Sequence, residues 1–91
     1  MHAVVVRVSI GDVNVATPEL RERVVPRAKG APGFVAGYWT QSDDRDNGLS
    51  MVVFDSEDNA KAAAELIRTA GVVAETVTLE SVEVREVVAN A

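Results

Sequence analysis

Short apolar segments alternate with polar and turn-forming residues along this chain, a pattern that predicts a small domain of mixed strands and helices. The segment HAVVVRVSI at residues 2–10 is rich in β-branched side chains and predicts a first strand. Because successive side chains of a strand point to opposite faces, two rows result. One row holds Val4, Val6 and Val8, and the other holds Ala3, Val5 and Arg7.

The segment TPELRERVV at residues 17–25 predicts the first helix. Thr17 is a favourable N-cap, and Pro18 takes the first helical position, where a missing N–H is tolerated. An apolar stripe follows at Leu20, Val24 and Ala28. Pro26 removes a helical hydrogen bond, so we expect a kink, or a last turn that is not α-helical, before Gly30.

Two further strands flank a polar loop. FVAGYWT at residues 34–40 predicts the second strand and LSMVVFD at 49–55 predicts the third. The loop QSDDRDNG between them ends in Asn47-Gly48, a pair typical of tight hairpin turns. On the third strand we expect Leu49, Met51 and Val53 to face the helices, and Ser50, Val52 and Phe54 to lie on the opposite face.

A second helix is expected over EDNAKAAAELIRTAG at residues 57–71, with Ser56 as its N-cap and Gly71 at its end. Its apolar side consists of Ala60, Ala63, Ala64 and Ile67. Because three of these four side chains are alanine, the helix should lie close to the surface that it covers.

The fourth strand is expected at about residues 80–88, after an irregular approach over residues 72–79. Its apolar alternation changes phase along the chain. Val77 and Leu79 share one parity, whereas Val82 and Val84 share the other. This phase change predicts a bend or a bulge near Glu80-Ser81.

The element order β-α-β-β-α-β is typical of ferredoxin-like domains of the α+β class. We therefore expect a single domain over residues 1–91, with a four-stranded antiparallel sheet. Right-handed crossovers place both helices on one face of that sheet and leave the other face bare.

The bare face is expected to mix apolar and charged side chains, which is typical of a subunit interface. The expected interface residues are Val5, Arg7, Val52, Phe54, Glu83 and Arg85. Strands one and four are neighbours in this topology, so Arg7 could pair with Glu83. We therefore expect a homodimer that closes sheet against sheet with two-fold symmetry.

Composition narrows the function. The net charge of −5 disfavours nucleic acid as a partner, and the absence of cysteine excludes disulfides and thiolate chemistry. No apolar run is long enough for a membrane helix, and the first residues lack a signal-peptide pattern, so we expect a cytoplasmic protein without a membrane partner. The loop DDRDNG does not match a calcium-binding loop, and we expect neither a metal nor a cofactor.

Three segments together resemble the dimeric α/β-barrel superfamily, and within it the domains similar to antibiotic biosynthesis monooxygenases. They are ELRERVVPRAKGAPGFVAGYW, GLSMVVFDSEDNAKAAAE and ESVEVREVVA, and the resemblance covers nearly the whole chain. It implies a dimer in which each monomer can hold a small organic molecule between sheet and helices. The superfamily includes cofactor-free oxygenases, haem-degrading enzymes, isomerases and many small proteins of unknown role.

The active-site patterns of that superfamily match this chain poorly. The haem-degrading branch uses Asn, Trp and His, but the single histidine here is His2, with no carboxylate evident to orient it. The quinone-forming oxygenases use Asn, Trp and Tyr, and this chain offers Tyr38 and Trp39. Adjacent strand residues point to opposite faces, so these two cannot line one pocket unless a bulge intervenes.

The candidate catalytic residues are Trp39, Tyr38 and Arg7, and the candidate ligand-binding residues are Gly37 and Phe54. For the two aromatic residues, packing in the core or interface is the alternative to stacking on a substrate. For Arg7, Glu83 and Arg85, an ion pair at the dimer seam is the alternative to anion binding. Gly37 could leave space beside the aromatic residues.

Two functions remain open on these grounds. The first is a cofactor-independent, monooxygenase-like enzyme, or a binder, of a small aromatic or polyketide-like molecule. The alternative is a non-catalytic dimerisation or ligand-carrier module, stress-associated or partner-binding, without enzymatic activity. The enzyme requires a polar group facing an open cavity within a monomer, whereas the module predicts a cavity filled by Val, Met and Phe.

Overall fold

A computed structural model describes residues 1–70 and 77–91 of the chain. The strands are β1 His2–Ile10, β2 Phe34–Gln41, β3 Asn47–Phe54 and β4 Val77–Glu86. Helix α1 covers residues 13–29, and helix α2 covers Glu57–Ala70. The strands form one antiparallel sheet in the order β2-β3-β1-β4, as the element order predicted.

Helix α1 begins earlier than predicted. Asp12 is its N-cap, and a carboxylate oxygen of Asp12 accepts a hydrogen bond of 3.0 Å from the Asn14 N–H. The prediction of Thr17 as the N-cap was therefore wrong, and Pro18 lies inside the helix. The segment GDVNVA contains turn-forming residues, but its Asp12 supplies a strong cap five residues before Thr17.

The helix changes its hydrogen-bond pattern in the middle. An α-helical segment, Val13–Glu19, is followed by π-helix over Leu20–Val24 and by α-helix again over Val25–Lys29. The Val25 N–H donates to the Leu20 carbonyl, five residues back. Pro26 has no N–H to donate, and the predicted departure from α-geometry before Gly30 is present as this π-helical segment, whereas the last turn, Val25–Lys29, is α-helical.

The β2–β3 hairpin turns over residues 42–46, before Asn47-Gly48. The Ser42 N–H donates to the Asn47 carbonyl at 2.9 Å, and the Arg45 N–H donates to the Ser42 carbonyl at 2.9 Å. Arg45 supplies the left-handed backbone of the turn, with φ 61°. Asn47 and Gly48 are the first residues of β3.

The core between sheet and helices corrects the assignment of faces on β3. Its buried side chains are Val4, Val6, Val52, Phe54, Ala60 and Ala64. Val52 and Phe54 thus face the helices, and their predicted place on the bare face was wrong. Met51, predicted to face the helices, pairs with Val5 and Tyr38 on the other face. Both alternating sets of β3 are largely apolar, so hydrophobicity alone did not distinguish them.

Strand β4 contains the predicted bulge. Arg7 is opposite Ser81, but the next residue, Val8, is opposite Leu79, so Glu80 is an additional residue on β4. The bulge lets the two halves of the strand place their apolar side chains on the same helix-covered face. The strand spans residues 77–86 rather than 80–88.

Ser56 caps α2 as predicted, because its hydroxyl accepts a hydrogen bond of 3.1 Å from the Asn59 N–H. The predicted end of this helix at Gly71 and part of the predicted irregular approach over 72–79 lie outside the described residues. Within the described ranges, no helix has the length and hydrophobicity required to cross a bilayer.

Candidate functional site

A cavity of about 350 Å³ lies between the sheet and the two helices. Side chains from the sheet and from both helices form its walls. They include Val6, Val52 and Trp39 from the sheet, Leu20 and Val24 from α1, and Ala63 and Ile67 from α2. Ala16 is the only buried residue of α1, whereas Leu20, Val24 and Ala28 of the same helix line the open cavity. An open, mainly apolar space is typical of small-molecule sites.

Trp39 is one aromatic wall of this cavity, and Gly37 leaves room for its ring. A Cβ atom built on Gly37 would lie 2.7 Å from Cη2 of the Trp39 ring, closer than van der Waals contact allows. The space beside Gly37, which the sequence suggested for a ligand, is therefore occupied by the indole of Trp39. Gly37 acts on the site through Trp39.

A bulge at Val35 adds a second aromatic residue to the same face. Phe34 is opposite Phe54, and Ala36 is opposite Val53, so Val35 is the additional residue on β2. Phe34 thereby shares a face with Trp39, although simple alternation places the two on opposite faces. Nothing in the sequence marks this bulge.

The other candidate residues divide between the two faces. Phe54 lines the cavity and is 2% exposed, as expected of a ligand-facing wall that also belongs to the core. Tyr38 is 68% exposed on the opposite face, so Tyr38 and Trp39 do not meet. Arg7 shares that opposite face. Of the three candidate catalytic residues, only Trp39 lies at the cavity.

Few polar side chains reach the cavity. Among the described residues that line it, Arg27 is the only ionisable one, and Gln41, Ser50 and Asn59 are the main neutral ones. Nε2 of Gln41 donates to the hydroxyl of Thr17 at 2.8 Å, and Nδ2 of Asn59 donates to Asp55 at 2.9 Å. These residues were not singled out from the sequence, although Gln41 has the parity of Trp39.

His2 lies outside the cavity, near the start of α2. Its Nε2 is 3.4 Å from a carboxylate oxygen of Glu57, and its Nδ1 is buried without a partner among the described residues. Glu57 thus supplies the orienting carboxylate for His2 that was not evident from the sequence. The pair is placed to anchor the first turn of α2 to β1 and does not reach the walls of the cavity.

The bare face of the sheet consists of cross-strand rows. One row holds Tyr38, Met51, Val5 and Glu83, and the next holds Ala36, Val53, Ala3 and Arg85. Arg85 pairs with Glu83 on the same strand at 2.7 Å. The expected pairing of Arg7 with Glu83 is not among the ion pairs of the described residues, because Arg7 is opposite Ser81. The face is apolar toward β2 and charged toward β4.

Comparisons with solved structures decide the fold. A dimeric ferredoxin-like protein from an uncultured marine organism is similar over 100% of this chain and 98% of its own, with a TM-score of 0.62 and 12% identity. The chain has the ferredoxin-like fold. The haem degrader MhuD of Mycobacterium tuberculosis, whose structure holds two haems in its active site, is similar over 97% of this chain and 98% of its own. Its TM-score is 0.56 and its identity 25%.

These similarities confirm the fold that the resemblance to antibiotic biosynthesis monooxygenase-like domains implied. No protein-family model and no curated protein matches the chain.

Proposed function

We propose that this protein binds a small, mainly apolar aromatic molecule in the cavity between the sheet and the helices. The observation that carries the proposal is an open cavity of about 350 Å³ whose walls are apolar apart from a few side chains, with Trp39 as one wall. This volume lies toward the lower end of the range of roughly 300 to 1,000 Å³ that is common for ligand pockets. An indole wall favours planar ligands, which it can contact face to face.

The polar content of the cavity favours binding over catalysis. A cofactor-independent oxygenase needs its substrate in an ionised, electron-rich form, and a general base commonly produces that form. The only ionisable residue among the described lining is Arg27, whose guanidinium carries hydrogen-bond donors and no acceptor, so it offers no general base. A ligand carrier therefore fits the described walls with fewer requirements. Monooxygenase-like activity remains the second candidate, for substrates that are already acidic in water.

Haem is a poor fit to this cavity. Protein ligands of haem iron are commonly histidine, cysteine, methionine or tyrosine. The chain has one histidine, no cysteine, two methionines and one tyrosine, and none of these lines the cavity as far as the structure describes it. The activity of the haem-degrading neighbour is therefore not part of the proposal.

The single tryptophan makes the proposal directly testable. Trp39 is the only tryptophan in the chain and forms a cavity wall, so its fluorescence reports occupancy. We expect saturable quenching by planar aromatic and quinone-like compounds, with a matching rise in the melting temperature. Oxygen consumption in the same samples separates the enzyme from the carrier.

A cavity-filling variant supplies the control. Ala63→Leu places a larger side chain at the wall formed by α2 and should weaken binding about tenfold or more, whereas Ala89→Leu, in the exposed C-terminal tail, should leave binding unchanged. If no compound of a broad aromatic panel quenches the fluorescence or raises the melting temperature, the proposed function is contradicted. Equal binding by both variants shows that ligands bind elsewhere.

We also propose that the protein is a homodimer joined through the bare face of the sheet. The similarity to a dimeric ferredoxin-like protein supports this assembly. The described part of that face includes two exposed apolar side chains, Tyr38 at 68% and Met51 at 44% exposure, in the cross-strand row that ends at Glu83 on β4. Of the interface residues predicted from the sequence, Val5, Arg7, Glu83 and Arg85 lie on this face.

A further inference from the structure

Ser50 is the exception in an otherwise apolar row of the helix-covered face. Across the sheet it is opposite Trp39 on β2 and Val6 on β1, and Val6 in turn is opposite Val82 on β4. Residues directly opposite each other in a sheet share a face. The hydroxyl of Ser50 is therefore on the cavity side, and Ser50 contributes to the cavity wall.

The hydroxyl of Ser50 has no hydrogen-bond partner among the described residues. The hydroxyl groups of Ser9, Thr40 and Ser42, by contrast, each bond to another described residue. Ser50 is only half-buried, because the cavity opens in front of it. A hydroxyl on an apolar wall is unfavourable unless something in the adjoining space bonds to it.

We propose that Ser50 is the specificity-determining residue of the cavity. Its hydroxyl donates a hydrogen bond to, or accepts one from, a ligand that stacks on Trp39. The inference rests on the proposed function and narrows its ligand class to planar aromatic molecules that carry a hydroxyl or carbonyl oxygen, such as phenols and quinones. Ser50 is opposite Trp39, with Cβ atoms about 5 Å apart, and the indole extends from there toward Gly37. A ring stacked on the indole can therefore direct an oxygen on its Ser50-facing edge toward this hydroxyl.

Such a site distinguishes ligands by whether they carry an oxygen that can bond to Ser50. When a ligand lacks the oxygen, the serine hydroxyl loses its water on binding and gains nothing in return, so the hydrocarbon analogue is disfavoured. The apolar walls then contribute affinity through the surface area that the ligand buries, and Ser50 determines which of two ligands of equal size binds more tightly.

The test compares two probes of nearly equal shape, 2-naphthol and 2-methylnaphthalene, by equilibrium dialysis against the wild-type protein and Ser50→Ala. We expect the ratio of the two affinities to shift toward the hydrocarbon by roughly threefold to tenfold in Ser50→Ala, the effect of one hydrogen bond. We also expect the unliganded variant to melt at an equal or higher temperature, because it loses an unpaired hydroxyl. Ser81→Ala, a half-buried serine on the opposite sheet face, serves as the control and should leave the ratio unchanged.

Each outcome has a distinct meaning. An unchanged ratio in Ser50→Ala, with both probes still bound, overturns the role of Ser50 and leaves the proposed function standing. An equal loss of affinity for both probes also overturns this role, since the serine then affects the shape of the cavity without forming a hydrogen bond to the ligand. If neither probe binds the wild-type protein, the inference fails, and the proposed function fails with it when the broad panel gives no binding either.

Discussion

The wall of the cavity depends on the contact between Gly37 and Trp39, two residues apart on β2. The Trp39 ring lies over the backbone at Gly37, where a side chain would come within 2.7 Å of Cη2 and 2.9 Å of Cζ3. Alternation along a strand could place these residues on one face, but it could not show that the ring folds back along its own strand. The sequence thus indicated a space beside Gly37, and the structure shows Trp39 in it.

Gly37→Ala should therefore disturb the site through Trp39. The new methyl group forces the indole to swing into the cavity, and we expect a loss of about 1 to 3 kcal/mol in the free energy of unfolding. Because the ring then occupies part of the cavity, its fluorescence spectrum should shift and ligand affinity should fall. Urea denaturation and fluorescence titration measure both effects.

Gly30→Ala is the matched control for this prediction. A Cβ atom at Gly30 meets nothing nearer than 3.7 Å, and its φ of −84° suits any residue. This variant should be neutral or stabilised by up to about 1 kcal/mol. A destabilisation equal to that of Gly37→Ala would show that an added methyl group destabilises this fold even where no Trp39 ring lies beside it.

At the scale of whole elements, the sequence predicted the number and order of strands and helices, but not every face or boundary. The bulge at Glu80 was predictable because it shifts a clear apolar alternation on β4. The bulge at Val35 was not, because β2 has apolar side chains on both faces. The face of Ser50 was predicted wrongly for a related reason, since a polar residue on a strand normally indicates the face away from the core.

The hairpin between β2 and β3 carries a pH-dependent contact. The Ser42 hydroxyl donates to a carboxylate oxygen of Asp44 at 2.6 Å, and the Asp46 N–H donates to the same oxygen at 3.0 Å. Both bonds favour the ionised carboxylate and hold the pKa of Asp44 below its ordinary value, the Ser42 bond contributing most. The stabilisation is present above the pKa of the unfolded chain and disappears as pH falls through the lowered value.

Ser42→Ala should raise the pKa of Asp44 toward its ordinary value, because it removes the larger of the two contributions. Carboxyl-carbon NMR titration measures the change directly. Ser9→Ala removes a serine that donates to Glu80 instead and should leave the pKa of Asp44 unaltered. If the Asp44 titration curve were the same in Ser42→Ala and the wild type, the hydroxyl would not be bonded to this carboxylate in solution.

The whole molecule divides its two sheet faces between two tasks. The helix-covered face holds the cavity with Trp39 and Ser50, and the bare face holds Tyr38 and Met51. Since neighbouring strand residues point to opposite faces, a change at Tyr38 can alter assembly without touching the cavity wall. This division allows the proposed dimer and the proposed ligand site to be tested independently.

Met51→Lys should weaken the homodimer without unfolding the monomer. Met51 is 44% exposed in the single chain, so a lysine there can be solvated in the monomer, whereas in a sheet-to-sheet dimer its charge is buried. The two-fold axis places the substitution in the interface twice, and we expect a loss of about 2 kcal/mol of binding free energy per copy for a central contact.

Sedimentation velocity at micromolar concentration should show a dimer for the wild type and mainly monomer for Met51→Lys. Val15→Lys alters a residue of α1 with nearly the same exposure, 45%, and should remain dimeric. A monomeric wild type, or a Met51→Lys variant as dimeric as Val15→Lys, would exclude this face as the subunit interface.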